Sequence, residues 1–399
     1  MKVQLQNTLF YPATGGIENY LYHASKILLR MGHEPTILCS RHQPNLPAKE
    51  VYEGIKIIRH PYYHLPKPLF AFNLIYYEKS LQKFVKTNSK DIDAIWSRHP
   101  YCTYASCKAL QEIPTIYIQA TVWPSFLRYA SEKLKGVRKI FFRVQNLQDY
   151  YIEKKAMEMC DKIVVLSKIR MREISDFYKF PKNKFEIVPP GIDLERFKPR
   201  ERDKKLLNTS KISENAKIIL TVCRLSPEKN VSMLIKAFAK LNIENTYLLI
   251  VGDGPNKLYL KQLAKELSIN SKVKFLGFRK DIEKFYSIAD VFILPSKYEG
   301  FGHVYLEAMA SGVPCVGLRS DYPNIIVASE EIIRDGQTGY CADPYSIEDL
   351  AEKIEEIISN DELRYRMGRE SREICEKEYS WEKHVQALIK IVDNTGRRH

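Results

Sequence analysis

The chain has 399 residues, of which 45% are hydrophobic and 28% are charged, and its formal net charge at pH 7 is +14. This length suits two domains of roughly 150–200 residues each, and this balance of residues is typical of a soluble globular protein. The basic excess predicts a partner that carries phosphate, whether nucleotide, nucleic acid or anionic lipid, without choosing among them.

The first half of the sequence alternates between predicted strands and predicted helices. Val3–Asn7 favours a strand, a loop with Gly15 and Gly16 follows, and Ile17–Met31 has helical periodicity that ends before Gly32. Further strand-like runs are separated by helical segments: Pro35–Cys39, Ala94–Trp96, Thr115–Ile118 and Ile163–Leu166. This alternation predicts a parallel sheet with helices on both faces.

The second half contains another α/β series. The charged, proline-containing stretch 196–215 is predicted to be a linker between a first domain, 1–195, and a second, 216–378. Two successive Rossmann-like domains predict a ligand cleft between them. The strands predicted in the second series are Ile218–Val222, Tyr247–Val251, Val273–Leu276, Val291–Leu294 and Pro314–Val316.

Cysteine spacing and hydropathy indicate the compartment. The eight cysteines are scattered and include no CxxC pair, which favours reduced thiols over a disulfide framework or a zinc site. Met1–Leu5 contains no long apolar run, and no stretch approaches the ~20 apolar residues of a membrane helix. We therefore expect a cytoplasmic protein with neither a signal peptide nor a membrane span.

The segment Leu294–Pro314 is the densest chemical pattern in the chain. A predicted strand ends in a loop that contains Glu299 and two glycines, and a helix that contains Glu307 begins near His303. Backbone N–H groups at such a helix start attract an anion, and the two carboxylates can accept hydroxyl groups. Taken alone, this spacing favours the simpler interpretation of a capped helix with solvated glutamates.

Other segments accompany this one in a fixed order: Gly15–Glu18, Pro190–Asp193, Thr221–Asn230, Val251–Pro255, Val273–Gly277 and Asp335–Gly339. Together they resemble the motifs of glycosyltransferase family 4, with Glu299 and Glu307 in its E-x7-E signature, across nearly the whole chain. The resemblance implies the GT-B fold, in which two Rossmann-like α/β domains have parallel sheets that face a central cleft. The first domain would bind the acceptor and the second the nucleotide sugar, and the C-terminal helix, 379–399, would join the first.

The resemblance also implies roles for individual residues. Arg224 and Lys229 would neutralise charge on the leaving diphosphate, and Glu299 would contact the transferred sugar; these three are the implied catalytic residues. Glu307 would accept hydrogen bonds from the ribose. The full set of implied donor-binding residues is Gly15, Gly16, Gly252, Gly277, Phe278, Phe301, Gly302 and Glu307.

The implied activity is retaining, metal-independent transfer of a hexose-type sugar from a nucleotide-diphosphate sugar to a glycan or lipid-linked acceptor, in cell-envelope or glycoconjugate synthesis. No cofactor and no metal are expected. The single D-x-D, Asp91–Asp93, precedes a strand and is interpreted as a solvated turn. Two alternatives remain open: a nucleotide-sugar epimerase on the same fold, and a non-catalytic GT-B partner subunit.

One position departs from the family pattern. The histidine that usually contacts the transferred sugar is replaced by Ala120, which also motivates the non-catalytic alternative. Gln119, Thr121 or the nearby His99 are the candidates for supplying a polar group in its place. The simpler interpretation of His99 is a satisfied structural histidine.

Two stretches mix aromatic and basic residues, namely Pro61–Lys86 and Trp123–Arg143. Such a surface is typical of proteins that rest on anionic lipid, and it predicts peripheral contact with the inner membrane face. The alternative is a solvated helix face whose phenylalanines belong to the core. Nucleic acid is disfavoured as a partner because no recognised binding motif accompanies the charge.

Overall fold

A computed structural model describes residues 1–13, 15–61, 70–89, 91–119 and 137–396. The chain divides into two compact units. Unit 1 comprises Met1–Leu166, Ile174–Pro189 and Trp381–His399, and unit 2 comprises Ser167–Glu173 and Pro190–Ser380. Each unit is built on its own mostly parallel sheet, which confirms the predicted α/β class with two Rossmann-like domains.

In the described part of unit 1, eight strands form one sheet in the order β3-β4-β2-β1-β5-β6-β7-β8. They are β1 (Lys2–Gln6), β2 (Glu34–Arg41), β3 (Lys49–Tyr52), β4 (Ile55–Pro61), β5 (Ala94–Ser97), β6 (Thr115–Ile118), β7 (Lys162–Val165) and β8 (Phe185–Ile187).

The prediction of a purely parallel sheet is wrong at one edge, because β3 pairs with β4 in the antiparallel sense. Glu53 and Gly54 join the two strands, and both have positive φ, 47° and 86°. Two such residues form the tight turn that suits a hairpin. Most of β3 is exposed, so it lacks an apolar pattern from which a strand could be predicted, and β4 and β8 of the same sheet were not predicted either.

The helices that begin in the first half of the chain are α1 (Gly16–Arg30), α2 (Phe70–Asn88), α3 (Pro100–Ala109), α4 (Val137–Met159) and α5 (Lys168–Tyr178). The first residues of α5 belong to unit 2 and its last residues to unit 1. A short 3₁₀ turn, Lys182–Lys184, precedes β8.

The sheet of unit 2 has six parallel strands in the order β11-β10-β9-β12-β13-β14. They are β9 (Lys217–Val222), β10 (Thr246–Val251), β11 (Val273–Gly277), β12 (Val291–Leu294), β13 (Cys315–Leu318) and β14 (Gly339–Ala342). The helices of this unit are α6 (Lys204–Thr209), α7 (Val231–Phe238), α8 (Lys257–Glu266), α9 (Ile282–Tyr286), α10 (His303–Ala310), α11 (Ser329–Ile332), α12 (Ile347–Ser359) and α13 (Asp361–Glu378).

The stretch 196–215, predicted as a linker, lies entirely within unit 2 and contains α6. The carboxylate of Asp203 caps this helix by accepting a hydrogen bond from the Leu206 amide at 2.9 Å. Leu207 and Ile212 are buried. A few well-placed apolar side chains therefore anchor a segment whose overall composition is that of a linker.

The final helix, α14 (Trp381–Asp393), belongs to unit 1, where it packs against α1. Trp381 is buried, and its ring lies 5.4 Å from that of Tyr20 and 5.3 Å from that of His23. Apolar residues spaced along one face of α14, including Val385 and Leu388, complete this part of the core.

Two further properties bear on the predicted compartment. None of the eight cysteines forms a disulfide, and all are buried except the half-buried Cys223. Within the described ranges, no helix combines the length and the apolar character needed to cross a lipid bilayer.

Candidate functional site

The residues predicted to function in unit 2 follow the ends of neighbouring strands. Arg224 and Lys229 follow β9, Gly252 follows β10, Phe278 follows β11 and Glu299 follows β12. These strands are adjacent and parallel, so their carboxyl ends lie at one edge of the sheet. That edge is the usual position of a ligand site in an open α/β sheet.

A close ion pair joins Lys229 to Glu299. The Lys229 ammonium donates a hydrogen bond to the Glu299 carboxylate, although 70 residues separate them in the chain. Their side chains are only 17% and 20% exposed. Arg224, by contrast, is exposed, and it forms no ion pair with any residue that the structure describes. The site thus holds one neutralised carboxylate and one unpaired cation.

The loop that carries Glu299 is held firmly on both sides. The Glu299 amide donates to the Ile326 carbonyl at 2.9 Å. The neighbouring Tyr298 hydroxyl lies 2.8 Å from the Arg170 guanidinium and 3.2 Å from the Glu173 carboxylate, and the latter two form a buried ion pair. Sequence reasoning missed Arg170, Glu173 and Tyr298, because more than 120 positions separate the tyrosine from its partners.

Glu307 occupies a different environment from Glu299. It lies in α10 and is half-buried, and the Tyr286 hydroxyl donates to its carboxylate at 2.9 Å. Burial raises the pKa of Glu307 to about 7, although the Tyr286 hydrogen bond and the cation of Arg196 act in the opposite direction. Sequence reasoning also missed Tyr286, which belongs to the short helix α9 and to no recognised motif.

At two positions of the site, the backbone conformation and the close neighbours require glycine. Gly252 has φ of +130°, and a Cβ atom there would lie 1.9 Å from the Cys223 carbonyl oxygen. Gly302 has φ of +90°, precedes the first residue of α10, and would place a Cβ atom 2.8 Å from the ring of Tyr305. Neither position tolerates a side chain, whatever ligand it contacts.

The two aromatic residues predicted to bind donor differ in accessibility. Phe278 directly follows Gly277, the last residue of β11, and 74% of its surface is exposed. Phe301 is buried, and its ring lies 5.9 Å from that of His303 and 6.3 Å from that of Tyr379. The Phe278 ring is therefore available to a base, whereas Phe301 offers a ligand only its backbone.

In unit 1, the predicted glycine loop lies at the start of α1. Gly15 is the N-cap residue of that helix, its backbone is extended, and no side chain caps the helix by a hydrogen bond. A Cβ atom on Gly15 would lie 2.6 Å from a carboxylate oxygen of Glu18, whereas one on Gly16 would meet no atom within 4 Å. The backbone at Gly16 therefore has free space around it, into which a ligand could approach closely.

The polar residues near Ala120 that were predicted to contact the sugar differ in their surroundings. Gln119 is fully buried, and its side-chain amide donates to the carboxylate of Glu153 at 3.0 Å. This interior contact opposes the predicted role of Gln119 in binding sugar. His99 follows β5 and is half-buried, and burial lowers its pKa to about 4. Its imidazole is therefore neutral at physiological pH. Ala120 and Thr121 lie outside the described residues.

The D-x-D motif lies at the amino end of β5, and both of its aspartates are exposed. Lys2 pairs with Asp91 at 2.5 Å, and the Lys2 amide donates to Asp93 at 2.6 Å. Among the residues that the structure describes, no three His, Cys, Asp or Glu side chains are grouped to hold a metal ion. Metal independence stays a prediction.

Two parts of the predicted membrane surface, positions 62–69 and 123–136, lie outside the described residues. Other exposed apolar side chains are described in unit 1. Leu147 and Tyr151 in α4 are 69% and 53% exposed, and Phe177 in α5 is 41% exposed.

Two known protein families match consecutive parts of the chain. Residues 14–196 match the family described as Glycosyltransferase Family 4, and residues 203–374 match the one described as Glycosyl transferases group 1.

Among individual proteins, the chain is 32% identical over 230 residues to N-acetyl-alpha-D-glucosaminyl L-malate synthase of Bacillus anthracis, which covers 57% of this chain and 58% of that protein. It is 26% identical over 403 residues to the uncharacterized glycosyltransferase MJ1607 of Methanocaldococcus jannaschii, covering 98% and 97% of the two chains. The crystal structure of Anabaena Alr3699/HepE in complex with UDP and glucose superposes with a TM-score of 0.75 at 18% identity, covering 99% and 100%.

Proposed function

Because this chain is a glycosyltransferase of family 4 with the GT-B fold, we propose that it is a retaining, metal-independent hexosyltransferase that uses a nucleotide-diphosphate sugar. The observation that carries this proposal is the half-buried Lys229–Glu299 pair, beside exposed Arg224, at the carboxyl edge of the sheet of unit 2. When the bond between sugar and diphosphate breaks, negative charge develops on the diphosphate and positive charge on the sugar. Cations stabilise the first and a carboxylate the second.

On the donor side, Lys229 and Arg224 stabilise negative charge on the departing diphosphate, and the start of α10 adds its dipole. Glu307 accepts hydrogen bonds from the ribose, and the exposed ring of Phe278 stacks on the base. The similar fold of Alr3699/HepE holds UDP and glucose, which supports a nucleotide-sugar donor for this chain. The cations of Lys229 and Arg224 supply the charge that a metal ion supplies in other transferases.

In the transfer step, the bond between the anomeric carbon and the diphosphate oxygen breaks, and that oxygen keeps the electron pair. Glu299 stabilises the positive charge that builds on the sugar. The acceptor hydroxyl forms its bond on the face that the diphosphate leaves, and its proton passes to the departing phosphate oxygen. The anomeric configuration is retained.

The acceptor is a glycan or a lipid-linked molecule held by unit 1. The exposed side chains of Leu147, Tyr151 and Phe177, together with the net charge of +14, support peripheral contact with anionic lipid. We place the enzyme in the cytoplasm, at the inner face of the membrane.

A transfer assay with a panel of UDP-, GDP- and ADP-sugars tests this function. We expect transfer to persist in EDTA, the product to keep the anomeric configuration of the donor by NMR, and Glu299→Ala to lower kcat by about 10²–10³-fold. Glu352→Ala, at an exposed glutamate in α12, serves as the control for loss of a carboxylate. Full activity in Glu299→Ala would contradict the catalytic assignment, and loss of transfer in EDTA would contradict metal independence.

The raised pKa of Glu307 predicts a pH-dependent affinity for nucleotide. The carboxyl group is mostly protonated at pH 6 and mostly ionised at pH 8, and only the ionised form accepts hydrogen bonds through both oxygens. We expect UDP affinity to rise by up to about tenfold over this range, the change that a group of pKa about 7 allows.

Isothermal titration of UDP at pH 6, 7 and 8 measures this effect. Glu307→Gln is the matched control, because it has nearly the same shape and does not titrate. Titration of the phosphate of UDP affects both proteins equally and cancels in the comparison. An equal pH dependence in the two proteins would show that Glu307 does not contact the ribose as an ionised group.

A further inference from the structure

One buried arginine differs from the others in its partners. Four arginines are buried among the residues that the structure describes, and three of them form ion pairs with carboxylates: Arg59 with Glu50, Arg170 with Glu173, and Arg364 with Asp290. The fourth, Arg98, is only 7% exposed and forms no ion pair with any described residue. A guanidinium without a counter-ion opposes folding, because burial removes its hydration without replacing it.

Some hydrogen-bond donors of the Arg98 guanidinium have no partner among the described residues. Its guanidinium carbon lies 4.1 Å above the ring of Tyr20, whose hydroxyl is 2.6 Å from an imidazole nitrogen of His384. Within the described part of the chain, neither Nε nor Nη1 of Arg98 has a hydrogen-bond acceptor. Glu18 acts on Arg98 only as a charge beyond ion-pair distance. The tyrosine face therefore holds the guanidinium in place without neutralising it.

The electrostatics of Arg98 agree with this geometry. Burial lowers the pKa of Arg98 from its ordinary value, and Tyr20, Tyr117 and Glu18 offset that effect only in part. Burial also keeps the neighbouring His99 neutral, by lowering its pKa to about 4, so His99 adds no second positive charge beside Arg98. A single positive charge stands in a poorly solvated environment, where an anion would be strongly attracted.

Arg98 lies at the edge of the sheet where ligands usually bind in this type of fold. It follows β5 directly, and its backbone amide donates to the carbonyl of Gln6, the last residue of β1, at 2.8 Å. β1 and β5 are adjacent parallel strands in the middle of the sheet of unit 1. The carboxyl edge of such strands is where open α/β sheets bind their ligands.

We propose that Arg98 binds an anionic group, a phosphate or a carboxylate, that is part of the acceptor substrate. The assignment to the acceptor rests on the proposed function, in which unit 2 supplies the cations for the donor diphosphate. A guanidinium suits either anion, because its planar set of N–H donors matches the oxygens of both. The acceptor is thus a molecule that carries a negative charge as well as the hydroxyl that receives the sugar.

Stability without ligand separates a binding arginine from a structural one. Replacing an unpaired buried charge by an apolar side chain of similar volume is neutral or stabilising, so we expect Arg98→Met to melt at or above the wild-type temperature. Arg59→Met is the contrasting variant, and we expect it to melt lower because it leaves Glu50 without its partner. A clear loss of stability in Arg98→Met would overturn the proposal by assigning this arginine a structural role.

Anion binding is then measured by thermal unfolding of the full chain with inorganic phosphate, malonate or UDP. At about ten times its Kd, phosphate or malonate is expected to raise the wild-type midpoint by roughly 3–5 °C. We expect this rise to shrink in Arg98→Met and in Arg98→Lys, which keeps the charge but loses the planar donors. Arg30→Met removes an exposed arginine of the same unit and should respond as wild type does.

The UDP arm separates the possible outcomes. The rise caused by UDP should be equal in the wild type and in both Arg98 variants. A phosphate or malonate response that survives intact in Arg98→Met would overturn the anion site. A UDP response lost in Arg98→Met would overturn the assignment to the acceptor, by placing Arg98 in the donor site. Absence of any UDP response in the wild type would instead count against the proposed function.

Discussion

Replacing Lys229 by methionine is expected to lower kcat by about 10²–10³-fold, the usual effect of removing one fixed group that stabilises transition-state charge. The Lys229 ammonium is held against Glu299 and is mostly shielded from water, so its charge acts at short range in a medium that screens poorly. Charge on the departing diphosphate grows during the reaction, and the loss should therefore appear mainly in kcat.

Steady-state kinetics with the nucleotide sugar that the enzyme accepts measure this loss. Lys297→Met is the matched control, because it removes an exposed lysine only two residues from Glu299. Thermal unfolding should show that both variants remain folded. A kcat of Lys229→Met within about twofold of that of Lys297→Met would contradict the role of Lys229 in transfer. Loss of a fixed group that stabilises transition-state charge lowers kcat by far more than twofold.

Gly252→Ala is expected to destabilise unit 2 by roughly 3–5 kcal/mol, in the range reached only by severe steric changes. The new Cβ atom would lie 1.9 Å from the Cys223 carbonyl oxygen and 2.9 Å from its carbon, and both are backbone atoms. The φ of +130° is also unfavourable for alanine. Relief would require the ends of β9 and β10 to move apart, which would also displace Arg224.

Gly277→Ala is the matched control, because Gly277 accepts the hydrogen bond of the Gly252 amide at 2.8 Å and has φ of +69°. A Cβ atom there meets no atom within 4 Å, so only backbone strain of about 1–2 kcal/mol is expected. Urea unfolding followed by circular dichroism reports both units. Tryptophan fluorescence reports unit 1, since unit 2 contains no tryptophan. Equal stability of the two variants would contradict the steric argument.

Prediction from sequence succeeded where the pattern is local. Most strands of both sheets were found within a residue or two of their bounds, since burial on both faces produces short apolar runs. The helix predicted near His303 begins at that residue. Prediction missed β3, which is short and exposed, and also β4, β8 and β14. It missed the structure within 196–215 as well, because the three buried apolar residues there, Phe197, Leu207 and Ile212, are too few to form a pattern.

Within the candidate site, the sequence alone determined the main chemical groups. Glu299, Glu307, Lys229 and Arg224 stand in motifs of fixed spacing, and each motif follows a strand. Since parallel strands end at one edge of the sheet, motifs that follow neighbouring strands must meet there. The glycines at 252 and 302 also belong to these motifs, and their positive φ angles explain why no other residue suits them.

The partners of these groups were decided only by the tertiary structure. Tyr286 contacts Glu307 from 21 residues away, and Tyr298 contacts Arg170 from 128 residues away. Gln119 follows a strand as a ligand-binding residue would, yet the pleat of the sheet turns its side chain inward to Glu153. Arg98 carries no signal beyond its place after β5. Whether Arg98 has a counter-ion depends on the residues that surround it. Burial and ion pairing arise from tertiary packing and cannot be deduced from the spacing of residues in the sequence.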